Sequence, residues 1–179
     1  SGGSATSSLN GFVKLTGITT IALFFLLMTG AYVRATGASW ACAGFPTCNG
    51  ELFPFGLNRL IDIHLLHRFA AYGVTVLLVF TLVRAWNLRR QVPALGRAAW
   101  AVAASAGFQL AVGILAVTNE VPSLLQALHV AGSAATWATV VLLLSLALHN
   151  RATRIAAVAG AESSPPQAAS ERGFANHAF

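Results

Sequence analysis

His67 and His129 each stand inside an otherwise apolar stretch of this 179-residue chain. An ionisable side chain in hydrocarbon is costly, so such residues face a bundle interior and mark functional sites. Two imidazoles held at one depth can grip an iron from both sides, as in a six-coordinate haem b. Two plainer arrangements use the same residues: a histidine pair hydrogen-bonded across helices, or one arm of a proton relay. A bare zinc ion asks for three or four ligands, and only His64 lies near enough to supplement the pair.

The elements that must position the pair follow from composition. Hydrophobic residues make up 56% of the chain and charged residues 9%, with a mean hydropathy of +0.68. That places it in the membrane class rather than among soluble domains, which carry about 25% charged residues. The net charge of +6 does not indicate nucleic acid, because the arginines flank apolar segments instead of forming a basic stripe with aromatics. A spanning helix needs about 20 predominantly apolar residues. Four stretches qualify: Lys14 to Arg34, Leu60 to Val83, Arg97 to Glu120, and Glu120 to His149. The expected fold class is an all-α integral membrane protein, a four-transmembrane-helix bundle with an outward cysteine-containing loop.

Basic residues concentrate on the cytoplasmic side of membrane proteins. Lys14, Arg84, Arg89, Arg90, Arg97, Arg151 and Arg154 fall on one side of the four spans. Arg34 and Arg59 fall on the other, offset by Glu51, Asp62 and Glu120. Both termini are therefore expected in the cytoplasm of a bacterial inner membrane, with the loop Ala35–Arg59 outside. His67 lies seven residues beyond Leu60 and His129 seven beyond Pro122. At about 1.5 Å per residue, each sits about 10 Å below the outer boundary, on spans that run the same way.

Neighbours of the pair add detail. Gly73, Ala70, Ala71, Ala127, Gly132, Ser133 and Ala134 offer small side chains near the two histidines. Such residues give a porphyrin clearance and also let bare helices approach closely. Arg68, Arg34 and Arg59 are candidate partners for haem propionates, since guanidinium matches carboxylate geometry; for Arg34 and Arg59 snorkelling to lipid phosphate is an equal reading. His64 and Gln126 each lie three residues before a histidine of the pair, on the same helical face, and suggest a polar cap. Gln109 is the remaining buried polar group and is expected to bond between helices.

Cys42 and Cys48 are the only cysteines. In an oxidising compartment a disulfide is the default for them, and a redox-active pair is the alternative. Trp40, Phe45, Phe53, Pro54 and Phe55 make their loop amphipathic, suited to the bilayer interface or to a lid.

The ordered set of motifs resembles the haem A synthase family. It comprises Gly30-Ala-Tyr-Val-Arg-Ala-Thr-Gly-Ala38, the Cys42/Cys48 loop with Phe45-Pro46 and Cys48-Asn-Gly50, His67-Arg68, Gln109-Leu-Ala-Val-Gly113 and His129. Most members have eight spans in two similar halves. One half oxidises the methyl group of haem O to the formyl of haem A; the other holds a haem b that passes electrons. The resemblance implies His67 and His129 as axial ligands and Cys42 and Cys48 as the loop pair. In the catalytic half an acidic residue precedes the His-Arg pair by one turn, and here that position is His64. The chain thus looks like the cofactor half, working with a second half, a homo-oligomer or a larger redox complex. A non-enzymatic haem b electron-transfer or accessory subunit of a respiratory or photosynthetic complex is the rival expectation.

Residues 1–11 read as a polar N-terminal segment or linker without a signal-peptide pattern. Residues 12–150 read as the haem-binding bundle. Residues 151–179, rich in Ala, Ser, Pro and Gly, read as a flexible cytoplasmic tail carrying a solvated His177.

Overall fold

A computed structural model describes residues 2–163, with side chains for residues 7–160. The described residues form four helices: α1 (Gly2–Ala35), α2 (Arg59–Leu88), α3 (Pro93–Thr118) and α4 (Ser123–Ser163). All four are long and apolar enough to cross a membrane. A short 3-10 turn, Ala38–Trp40, follows α1. The architecture is the expected one, an all-α bundle with a cysteine-containing loop.

Local chemistry sets the boundaries. Gly37, at φ 76°, ends α1 with a backbone turn that a side chain would strain. Asn58 caps α2 by accepting from the Leu60 amide at 2.8 Å. Pro93 opens α3, where its missing N–H costs nothing. Helix packing runs α1–α2, α2–α3, α3–α4 and α4–α1, a closed ring that leaves α2 and α4 on a diagonal. The cysteine loop and the Asn119–Pro122 turn share one end of the bundle, and the α2–α3 connection lies at the other.

The larger buried apolar cluster lies at that other end, and a smaller one of Cys42, Cys48 and Leu65 lies at the loop end. In the larger one, Leu9, Phe12 and Leu23 of α1 meet Leu78, Ala85 and Leu88 of α2, Leu95, Ala98, Ala99 and Val102 of α3, and Val140, Leu143 and Ala147 of α4. These are the early residues of α1 and α3 and the late residues of α2 and α4. Toward the loop end the packed cluster stops, and polar and small residues take over. Large apolar side chains such as Phe25, Phe80 and Leu142 face outward, as lipid contact requires.

Two hydrogen bonds stitch the helices in pairs. Thr19 and Thr81 join α1 to α2 at 2.7 Å, and Ser105 and Thr139 join α3 to α4 at 3.0 Å. At the α2–α3 end Trp86 meets Trp100 edge-on at 5.7 Å, while Arg89 lies 4.0 Å over Trp86. Aromatic belts of this kind mark a membrane margin.

Two boundaries differ from expectation. Helix α1 begins at Gly2, and Leu9 belongs to the core, so residues 2–11 are part of the first helix. Its buried face continues as Leu9, Phe12, Thr16, Thr19 and Leu23, three to four residues apart. Helix α4 runs on to Ser163, through an Ala-rich stretch of high helix propensity that composition suggests as tail. Residues 164–179, His177 among them, lie outside the described residues.

Replacing Thr81 with Val should lower stability by about 1 kcal/mol. Thr19 keeps its own bond to the Leu15 carbonyl, so no orphan is left behind. Unfolding in mixed micelles measures the effect, and an unchanged midpoint would remove this bond from the account.

Candidate functional site

His67 on α2 and His129 on α4 lie eight and six residues from their helix starts, about 12 and 9 Å along the axes. They stand on diagonal helices. Both are half-buried, in the part of the bundle where the apolar core has ended.

His67 is fixed by α1. Its Nδ1 lies 2.8 Å from the Thr29 hydroxyl, and that hydroxyl donates its single hydrogen to the Leu26 carbonyl at 2.8 Å. Both contacts hold together only if His67 Nδ1 carries the proton and donates it. Nε2 then keeps a lone pair, the arrangement usual for an imidazole that binds metal. The ring rests on Gly30, where an added Cβ would come within 3.1 Å of its Cε1.

His129 is held by α3 in a different way. The Gln109 amide nitrogen lies 3.2 Å from His129 Nε2 and donates to it. His129 Nδ1 and Gln109 Oε1 are both buried without a hydrogen-bond partner. The ring lies on Gly113, where a Cβ would stand 2.8 Å from its Cε1. Gly132 of α4 makes room for Gln109, since a Cβ there would meet Oε1 at 2.5 Å.

Arg68, one residue beyond His67, turns to the cysteine loop. Its Nη1 donates to Thr47 O at 3.0 Å, and its Nη2 to Cys42 O at 3.0 Å and Gly44 O at 2.9 Å. Cys42 and Cys48 form a disulfide packed on Leu65 and Ile61 of α2. Asn49 closes the loop by bonding Ala43 and Ala41, and Gly44 N reaches Val117 O of α3 at 3.0 Å. His64 is buried, with Nδ1 donating to the Ala38 carbonyl at 2.8 Å.

The family model for cytochrome oxidase assembly proteins matches residues 4–141. The chain belongs to that family, the haem A synthase family. Among curated relatives, Heme A synthase of Symbiobacterium thermophilum is 41% identical over 109 residues, covering 59% of this chain and 34% of the relative. Heme A synthase of Alkalihalophilus pseudofirmus is 43% identical over 67 residues, 37% of this chain and 22% of the relative. Heme A synthase of Bacillus licheniformis is 32% identical over 131 residues, 70% of this chain and 42% of the relative. The chain thus spans between about a fifth and two fifths of the relatives it matches. No solved structure matches.

In this family member the sequence-derived candidates separate into two groups. His67, His129 and Gln109 come together between the helices, and the exposed Arg34 donates to Gln126 Oε1 at 3.2 Å. Arg68, His64 and the cysteines instead build the loop, so Arg68 differs from its expected place beside a propionate: its donors are spent on backbone carbonyls. Arg59 is exposed at the start of α2. Gly73, expected to give clearance, faces open space, and the glycines beneath the rings are Gly30 and Gly113 on neighbouring helices. Phe53 and Phe55 stack on Phe69 at 5.8 Å each. Phe69 is two residues past His67, about 200° around the helix, so these rings lie on the far face of α2 and not over the site.

Sequence reasoning missed Thr29, whose signal was its place beside Gly30 in the quoted motif. Among the described residues no group of three or more His, Cys, Asp or Glu gathers as a metal site. A group needing only two protein ligands does fit. The free Nε2 of His67, a second imidazole on the diagonal helix and the glycine beneath each ring are what a planar iron chelate would use.

Arg68→Ala removes three charge-assisted bonds and strands their carbonyls, at a cost of about 3 kcal/mol. The Cys42–Cys48 disulfide should then be reduced faster by dithiothreitol. An unaltered reduction rate would show that Arg68 does not hold the loop.

Proposed function

We propose that this chain binds one haem b through His67 and His129 and acts as the electron-passing part of a haem A synthase. Haem O oxidation to haem A would occur in a second half, another copy or a larger redox complex. The observation that carries this reading is the pair of imidazoles on diagonal helices, each seated on a glycine of a neighbouring helix. A bound haem would supply one-electron redox chemistry.

The chain's own residues would do the rest. His67, with its proton committed to Thr29, presents Nε2 in a fixed direction. His129 presents a nitrogen from the opposite helix. Arg34, oriented by Gln126 at the loop end, is the cation placed to meet a propionate; Arg68 is occupied and Arg59 stands outside the bundle. His64 supports the cofactor role over the catalytic one. It stands where the family's catalytic half has an acidic group, and its Nδ1–H is tied to the Ala38 backbone. The arginine distribution supports a bacterial inner-membrane setting with the cysteine loop outside and both termini cytoplasmic.

Pigment extraction from the purified chain should yield haem B; haem O or A would overturn the cofactor-half assignment. His67→Ala and His129→Ala should each abolish the six-coordinate low-spin spectrum. Arg34→Ala should weaken haem retention about fivefold, an exposed ion pair being worth about 1 kcal/mol at most. Low-spin haem persisting in both histidine variants would defeat the ligand assignment.

A further inference from the structure

The two hairpins α1–α2 and α3–α4 repeat one plan with one substitution. Aligned on the glycine beneath each imidazole, Gly30 in α1 corresponds to Gly113 in α3. Thr29 then corresponds to Val112, and Leu26 to Gln109. So α1 holds its histidine from the residue next to the glycine, through Nδ1, and leaves Nε2 free. Helix α3 has an apolar residue there and holds its histidine from a position one turn earlier, through Nε2.

That difference has a chemical consequence. His67 can give Nε2 to iron while keeping every contact it has. His129 Nε2 already accepts from the Gln109 amide, and a lone pair serves one partner at a time. The missing side chain of Gly132 is what lets the amide lie there, since a Cβ at that position would meet Oε1 at 2.5 Å. The unpaired Gln109 Oε1 and His129 Nδ1 show that neither side chain is otherwise anchored.

Resting on the haem-binding reading above, we propose that Gln109 is a positioning residue that competes with iron for His129 Nε2. His67 is the permanent ligand and His129 the exchangeable one. With His129 held by Gln109, a bound haem would be left accessible to a small neutral diatomic molecule.

The test is carbon monoxide titration of the ferrous haem-loaded chain in detergent, followed by the Soret shift. Gln109→Leu removes the competitor, so His129 should hold the iron better and carbon monoxide affinity should fall about fivefold, the factor for one neutral hydrogen bond. Gln109→Met should do the same and stands in if the leucine variant does not fold. Thr29→Val, which loosens His67 instead, should leave the affinity at or above that of the parent chain. Unchanged affinity in the Gln109 variants would mean that His129 coordinates without giving up the amide, and would overturn the proposal. An equal fall in Thr29→Val would overturn it too, by tracing the effect to general packing. A parent chain that takes up no haem at all would sink the function reading itself, whereas haem uptake with no Gln109 effect sinks this inference alone.

Discussion

A guanidinium set into an apolar helix must find acceptors inside the protein, because lipid offers none. Arg68 meets that demand by drawing the carbonyls of Cys42, Gly44 and Thr47 down onto α2. Everything at the loop end is arranged around this single side chain. The disulfide narrows the loop so that three carbonyls converge, and Asn49 and the Val117 carbonyl fix its outer edge. Since Arg68 adjoins His67, the same contacts set the rotation of α2 that turns His67 toward α1. The loop is therefore part of how an imidazole is aimed, even though its aromatic end stacks away from the interior.

The imidazoles depend on a second constraint, the distance between backbones. A ring can lie flat against a neighbouring helix only where that helix has no Cβ. Gly30 and Gly113 satisfy this in the two hairpins: a Cβ at Gly113 would stand 2.8 Å from the ring, and one at Gly30 3.1 Å, so that the ring would have to shift. Each hairpin also carries one interhelical hydroxyl pair, Thr19–Thr81 and Ser105–Thr139, at positions that do not correspond when the hairpins are aligned on those glycines. Against that shared plan, the exchange of a threonine for a glutamine as the histidine's partner stands out as a chemical difference rather than a packing one.

Much of this was legible in the sequence. Four apolar stretches separated by charged and polar residues predicted the four helices of the bundle. The cysteine pairing followed from there being two cysteines in one short loop. What was not legible depends on rotation about helix axes. Whether Arg68 meets a ligand or the loop, and which glycine lies under which ring, turn on angles of tens of degrees that spacing along one helix does not specify. The start of α1 was obscured for another reason: its serines and glycines look like linker, and the alternation of Leu9, Phe12 and Thr16 that buries one face is short. The Ala-rich end of α4 was read by composition alone, whereas local propensity carries the helix onward.

One consequence follows from where the apolar cluster sits. The larger apolar cluster draws all four helices together in the half nearest the α2–α3 connection, while the loop end is joined by a smaller cluster and by hydrogen bonds. A molecule built this way can fold to completion at one end while the other stays adaptable. A rigid flat guest could then slip in last between finished walls, and its arrival would tighten the open half without asking the closed half to move.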